Sequence, residues 1–170
     1  MLNKKLIATA NNIIKQLVAA CSCVDHQFIQ VKYKLKLHPA CRLNETFNKL
    51  IAQLPESFVL TEERSFPALI KKANLLISEA SSTCLEALAC GIPVIVIQNS
   101  EGLTHNPIPD CIPEDLYMNV MSPDQLIFAL NYYINSSAET KDKQRSSGNW
   151  IRENYFEPVT KEGINLLLNI

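Results

Sequence analysis

The segment from Asn74 to Ile97 constrains the fold more than any other part of the chain. It contains two apolar runs, NLLIS and PVIVI, separated by the helix-like sequence SSTCLEALAC. Gly91 follows that sequence, at the position where a glycine commonly ends a helix. Both runs are apolar throughout, which is typical of parallel strands buried on two faces. The segment therefore predicts a strand–helix–strand unit with parallel strands.

The rest of the chain is predicted to alternate helices and strands around this unit. Apolar periodicity predicts helices at about residues 2–22, 41–54, 66–73, 123–134, 144–154 and 159–169, and strands at about 28–37 and 58–61. Ser122 is the expected N-cap of the helix that begins at Pro123. Residues 99–116 and 135–143 are expected to be connections. This order predicts an α/β fold, a doubly wound parallel sheet flanked by helices, in a single domain of residues 1–170.

The glycine content excludes two common phosphate-binding motifs. The chain has only 4 glycines in 170 residues, against a usual share of roughly 7%. They are too far apart to form a glycine-rich dinucleotide-binding turn or a P-loop. The net charge of −1 also lacks the basic excess typical of nucleic-acid-binding domains, so no nucleic-acid partner is expected.

The cysteines favour a reducing compartment. There are 6 of them and the chain has no secretory signal peptide, while Cys84 and Cys90 fall inside an apolar helical pattern. No C-x-x-C pair is present, so no zinc or other metal site is expected. No apolar stretch reaches the length of about 18 residues that a membrane span needs. We therefore predict a cytoplasmic protein without cofactor or metal.

The turn after the first apolar run is the strongest candidate site. Ligands of doubly wound sheets bind outside the carboxyl ends of the strands, and helix N-termini there carry unpaired N–H groups that suit phosphate. The hydroxyls of Ser81, Ser82 and Thr83 add further donors. The alternative is that these residues only cap the helix, with Ser82 as its N-cap. The two interpretations are compatible, and the sequence leaves both open.

Three charged or titratable residues extend this candidate site. Glu86 falls near the start of the same helix, where it is either a hydrogen-bond acceptor for a ribose diol or an ordinary solvated residue. Lys36 and His38 come at the carboxyl end of the 28–37 strand and lie on one side of it. A lysine and a histidine there suit an anionic ligand, although a lone histidine is more often structural.

Two segments resemble a known enzyme family. KLHPA (36–40) and SSTCLEALACGIPVIVI (81–97) are similar to the carboxy-terminal half of GT-B-fold glycosyltransferases, above all those that build bacterial capsules and other surface polysaccharides. The resemblance covers most of residues 28–170. It implies a Rossmann-like fold, one lobe of a GT-B fold, that binds the nucleotide-sugar donor.

The resemblance also implies roles for the candidate residues. Glu86 matches a glutamate that holds the donor ribose, and the serine–threonine turn matches the loop that faces the diphosphate. Lys36 and His38 match a segment that faces donor phosphate in some relatives. One departure matters: retaining members carry a second glutamate eight positions before the first, where this chain has Ser78, with Glu79 one residue away. No catalytic residue is assigned, and a retaining or an inverting outcome stays open.

The implied function is the donor-binding half of a glycosyltransferase that moves a sugar from a nucleotide-sugar to a polysaccharide or glycolipid acceptor. In that family an acceptor lobe normally precedes this one, and 170 residues leave no room for it, so we expect it to be supplied in cis or in trans. A lipid-linked acceptor would bring the protein to the inner face of the membrane. Two alternatives stay open: a sugar-nucleotide 2-epimerase-like isomerase, and a Rossmann-like interaction module without catalysis.

Overall fold

The computed structural model describes residues 14–21, 23, 31–37, 45–98, 106–156, 158 and 160, with the backbone alone at 46 and 47. The strands are β1 (Tyr33–Leu35), β2 (Phe58–Leu60), β3 (Leu76–Ser78), β4 (Val94–Ile97) and β5 (Tyr117–Val120). The helices are α1 (residues 14–21), α2 (Glu45–Ala52), α3 (Phe66–Ile70), α4 (Thr83–Ala89), α5 (Pro123–Ile134) and α6 (Ala138–Tyr155), with a 3-10 turn at Glu114–Leu116.

All the strand pairs of the described residues are parallel, as the apolar runs predict. β1 pairs with β2, while β3, β4 and β5 form a second sheet with β4 in its centre. Leu76 lies beside Val94, and Val94 lies beside Tyr117 on the other side. The predicted α/β class is therefore confirmed, with parallel strands in two open sheets flanked by helices.

The central strand β4 is buried on both faces. Ile95 and Ile97 belong to a core cluster that includes residues of α1 and α5. Val94 and Val96 point the other way, into a cluster that includes residues of α4 and α6. Alternate side chains of a strand point to opposite faces, so one short run of apolar residues supplies both cores.

Gly91 ends α4 as predicted, and the structure shows why glycine is required. Its φ of +71° lies in the left-handed region. Its N–H donates to the Leu88 carbonyl at 2.8 Å, and the Ile92 N–H donates to the Ala87 carbonyl at 3.0 Å. This pair of bonds is a Schellman motif, and it turns the chain directly into β4.

The predicted N-cap of α5 is also confirmed. Ser122 is extended, and its hydroxyl accepts a hydrogen bond from the Gln125 N–H at 3.3 Å. Pro123 is the first helical residue, and the helix ends at Ile134 as expected.

Two elements correct the sequence interpretation. Residues 117–120, between the predicted connection at 99–116 and α5, were assigned to no element, and the structure shows that Tyr117–Val120 forms the strand β5. It is the end strand of its sheet and Asn119 is exposed, so it lacks the continuous apolar run of a central strand. α6 begins at Ala138 rather than near 144, because the Ser137 hydroxyl caps the helix there by accepting a hydrogen bond from the Thr140 N–H. Residues 138–143 contain no buried side chain, so they lack the apolar periodicity that predicts a helix.

Other boundaries differ by a few residues. The expected strand at 28–37 is confirmed only at Tyr33–Leu35, with residues 28–30 outside the described part of the chain. The expected helix at 66–73 ends at Ile70, and the one at 41–54 spans Glu45–Ala52. Of the expected first helix, residues 14–21 are described and helical, while the expected helix at 159–169 lies almost wholly outside the described residues.

Candidate functional site at the carboxyl end of β3

The loop from Glu79 to Ser82 joins the carboxyl end of β3 to the first residue of α4. β4 and β5 run parallel to β3, so their carboxyl ends lie at the same edge of the sheet. This is the edge at which doubly wound sheets bind ligands. The predicted location of Ser81, Ser82 and Thr83, between a strand end and a helix start, is therefore confirmed.

Two hydroxyls of this loop form a pair. The Ser81 Oγ and the Thr83 Oγ1 are 2.9 Å apart, and either can be the donor. The Thr83 N–H also donates to the Ser81 Oγ at 3.3 Å, and the Cys84 N–H donates to the Ser81 carbonyl at 3.0 Å. Ser81 thus satisfies two of the N–H groups that a helix start leaves unpaired.

The capping role falls on a different serine from the one expected. Ser82 is the N-cap by position, but its φ of −56° and ψ of −26° are helical and its side chain makes no capping hydrogen bond. A capping side chain needs an extended backbone, as Ser122 has at the start of α5. The Ser81 hydroxyl caps the helix instead, and the Ser82 side chain is exposed to solvent.

A buried thiol in the first turn of α4 contacts the loop. Cys84 is fully buried, and its Sγ donates to the Glu79 carbonyl at 3.6 Å. Burial raises the pKa of the Cys84 thiol, so it stays protonated and acts as a packed donor. This contact joins the loop after β3 to the first turn of α4.

Glu79, the first residue of the loop, is a carboxylic acid in a partly buried position. Its side chain is about half-buried, and desolvation raises the pKa of its carboxyl above the ordinary glutamate range. The sequence interpretation gave Glu79 no role because its spacing from Glu86 does not match the retaining pattern. The signal that could have singled it out is its place directly after the apolar strand β3, at the edge of the sheet where ligands bind.

Glu86 lies on the same helical surface as Thr83. It is partly buried, and the spacing of three residues places the two side chains next to each other near the start of α4. The structure therefore brings Ser81, Thr83 and Glu86 together at one place, with two hydroxyls and one carboxylate.

Lys36 lies after the carboxyl end of β1 and is tied to a neighbouring loop. Its Nζ donates to the carbonyl oxygens of Glu63 and Arg64, both at 2.9 Å. These bonds connect the end of β1 to the loop between β2 and α3, and they use two of the three donors of the ammonium group. His38 lies outside the described residues, so its predicted pairing with Lys36 stays a prediction.

The described part of the chain contains neither a cluster of metal-ligating side chains nor a helix that could cross a membrane. No three His, Cys, Asp or Glu side chains there lie close enough together to hold a metal ion. Within the same residues, no helix combines the length and the apolar character that crossing a membrane requires. None of the five described cysteines forms a disulfide bond.

Comparison with protein-family models, with curated proteins and with solved structures gives no match to this chain. The functional interpretation therefore rests on the residues themselves and on where the fold places them.

Proposed function

We propose that this chain is the donor-binding lobe of a glycosyltransferase that takes a nucleotide-sugar. The observation that carries the proposal is the grouping of Ser81, Thr83 and Glu86 where β3 ends and α4 begins. The resemblance of segments 36–40 and 81–97 to GT-B-fold enzymes supports it, as does the parallel α/β architecture. On this proposal the fold is Rossmann-like and forms one lobe of a two-lobed enzyme.

The hydroxyl pair suits the diphosphate of the donor. When one hydroxyl of the Ser81–Thr83 pair donates to the other, the accepting hydroxyl keeps its own proton for a further bond. That proton, with the exposed hydroxyl of Ser82, can be donated to phosphate oxygens. The positive end of the α4 dipole adds a favourable potential for an anion at the same place.

Glu86 suits the ribose of the donor. An ionised carboxylate offers acceptor sites on both oxygens, and a ribose diol offers two O–H donors. Because Glu86 is next to Thr83 on the helix surface, a nucleotide can place its diphosphate on the hydroxyls and its ribose on the carboxylate. The nucleobase would then extend along α4.

The contribution of this lobe to sugar transfer would be mainly electrostatic. As the glycosidic bond to phosphate breaks, negative charge develops on the leaving phosphate, and fixed donors at that position stabilise it. The acceptor hydroxyl and the base that deprotonates it belong, on this proposal, to a second lobe supplied in cis or in trans. We therefore expect the 170-residue chain to bind nucleotide weakly and to transfer no sugar.

Calorimetric titration with UDP, GDP, CMP and CDP tests the proposal. We expect one of the four to bind with a Kd between roughly 10 µM and 1 mM. Glu86→Gln and Thr83→Val should each weaken that binding by about tenfold or more, the equivalent of losing one charge-assisted or one neutral hydrogen bond.

The start of α6 offers a matched control. Ser137 Oγ and Thr140 Oγ1 are 3.0 Å apart, and Glu139 lies in the first turn of that helix. The chemistry is the same as at α4, but α6 follows another helix instead of a strand. Glu139→Gln should leave nucleotide binding unchanged. Absence of binding by all four nucleotides at millimolar concentration would contradict the proposal and favour a module without a nucleotide ligand.

A further inference from the structure

A groove of about 400 Å³ lies beside β5, apart from the candidate nucleotide site. It is lined by the four residues of β5 together with Glu114, Gln125 and Phe128, and we call it the β5 groove. In the sheet of β3, β4 and β5, the candidate nucleotide site follows one end strand and the groove lies beside the other. The groove shares no residue with the segment 79–86, so it is a second place at which a ligand can bind.

The charges around the β5 groove disfavour an anionic ligand. Among the described residues that line it none is Lys, Arg or His, and the carboxylate of Glu114 is exposed there. Asp124 adds a second exposed carboxylate in the first turn of α5, after β5. Asp115, just before β5, is already paired with Lys143 at 3.2 Å. A phosphate or carboxylate ligand would meet like charge in this groove, so the ligand that fits it is not an anion.

The polar side chains of the β5 groove offer both hydrogen-bond acceptors and donors. Ionised Glu114 only accepts. The Met121 N–H donates to the Gln125 Oε1 at 2.7 Å, which holds the amide in place and leaves its NH2 group to donate. Asn119 is exposed, and its amide can donate and accept without competition from another described side chain. A hydroxyl also donates and accepts, so a hydroxyl-rich ligand can pair with all three side chains, whereas an apolar ligand would leave them unpaired.

Phe128 gives the β5 groove an aromatic wall. The residue is 66% exposed, so its ring is available to a ligand. The face of an aromatic ring carries partial negative charge and attracts C–H groups. Met118 lines the same groove and adds a further apolar contact. A pyranose ring presents an apolar C–H face surrounded by hydroxyls, and this combination matches an aromatic ring bordered by two amides and a carboxylate.

We propose that the β5 groove is a binding site for a neutral saccharide. A sugar ring would stack on Phe128, and its hydroxyls would bond to Glu114, Asn119 and Gln125. The volume of about 400 Å³ lies near the lower end of the range for small-molecule sites, so the groove has room for roughly one or two sugar rings. Because the groove is open and most of its polar side chains must be ordered on binding, we expect a Kd between about 0.1 and 10 mM.

Mapping of backbone amide shifts of the full chain tests the proposal with four neutral disaccharides: maltose, cellobiose, lactose and N,N′-diacetylchitobiose, each up to about 50 mM. At least one of them should cause saturable shifts centred on residues 114–128. Phe128→Ala should weaken that binding at least tenfold, because it removes the stacking surface, while Phe128→Trp should retain it. Glu114→Gln should weaken it by about threefold to tenfold, because a charge-assisted hydrogen bond becomes a neutral one.

Trp150→Ala is the matched control, because Trp150 is an exposed aromatic residue of α6 outside the β5 groove. It should leave the dissociation constant unchanged, and circular dichroism should show that all the variants stay folded. Three results would overturn the proposal: no saturable shift at residues 114–128 with any of the four disaccharides, full affinity in Phe128→Ala, or an equal loss in Trp150→Ala.

A cationic peptide tests the main alternative occupant of the β5 groove. The tripeptide Ac-Lys-Phe-Lys-NH2 could place its charges on the carboxylates and pair with the open edge of β5. We expect it to cause smaller shifts at residues 114–128 than the best disaccharide at the same concentration. Tighter binding of the peptide would overturn the saccharide proposal. Phe128→Ala should bind nucleotide as the wild type does, so each of the two proposed sites can fail without the other.

Discussion

Gly148 marks the closest approach between α6 and the end of α4, and its replacement by alanine should destabilise the protein. A Cβ added to Gly148 would lie 2.5 Å from the Gly91 N, 2.7 Å from the Gly91 Cα and 2.8 Å from the Leu88 carbonyl oxygen. All three are backbone atoms, which cannot rotate out of the way. The two helices would have to move apart, which would loosen the contact between Ile151 and the core around α4.

The direction in which Gly148→Ala changes the free energy of unfolding distinguishes a close backbone contact from ordinary helix propensity. In an exposed helix, glycine to alanine stabilises by about 1 kcal/mol. Overpacking a tight contact costs about 1–3 kcal/mol, and the backbone atoms around Gly148 favour the upper part of that range. The gain in helix propensity offsets about 1 kcal/mol of this cost. We expect Gly148→Ala to lower the free energy of unfolding by about 1–2 kcal/mol, equivalent to roughly 2–8 °C in Tm for a chain of this size.

Urea denaturation followed by circular dichroism measures this difference. Asn149→Ala is the matched control, since Asn149 is the next residue of α6 and is exposed. It should be neutral or stabilise by a few tenths of a kcal/mol. A Gly148→Ala variant that is as stable as the wild type, or more stable, would refute the account of how α4 and α6 pack.

Three further predictions concern the loop and helix around the candidate site. Ser81→Ala should lower the free energy of unfolding by about 1 kcal/mol, because the Ser81 side chain caps α4. Ser82→Ala should change it by no more than about 0.5 kcal/mol, because the Ser82 side chain makes no capping hydrogen bond. Urea denaturation measures both variants, and equal effects would contradict the observed cap. Since burial raises the pKa of Glu79, the folded state binds that proton more tightly than the unfolded state, and stability falls as the pH rises from the ordinary glutamate range through the raised pKa. Glu79→Gln should therefore be more stable than the wild type at neutral pH, with a gain that shrinks as the pH falls through the raised pKa and is smallest below about pH 4, whereas a gain independent of pH would show that the charge is not the cause. Iodoacetamide in native buffer at about pH 8 should modify the exposed Cys90 and spare the buried Cys84, as peptide mass mapping would show, and equal labelling would contradict the burial of Cys84.

The strand–helix–strand unit could be predicted from sequence because its signals are local and strong. β4 is buried on both faces as expected, whereas β3 is only partly buried, and Gly91 has the backbone freedom that the turn into β4 needs. β5 gave no such signal, because its sequence YMNV includes the exposed Asn119 and only one buried residue, Val120. The start of α6 was missed because residues 138–143 are polar apart from Ala138 and none of them is buried, so they show no apolar periodicity.

The candidate site could be located from sequence, but its internal arrangement could not. A strand followed by hydroxyl residues and a helix places the loop at the edge where ligands bind. Which serine caps the helix depends on backbone conformation, since Ser82 is already helical and Ser81 accepts the hydrogen bond instead, and the order of the residues does not show this. The tie between Lys36 and the carbonyls of residues 63 and 64 joins parts of the chain far apart in sequence, so no local pattern predicts it.

Mapping of backbone amide shifts during a nucleotide titration tests the central claim most directly. The claim is that the loop between β3 and α4 binds the phosphates of a nucleotide-sugar. With the nucleotide that calorimetry selects, the account predicts the largest shifts at residues 79–86, a smaller response elsewhere in the described sheet, and no change at residues 137–140, where α6 begins with the same chemistry. Shifts centred away from residues 79–86, or equal shifts at the starts of α4 and α6, would contradict it.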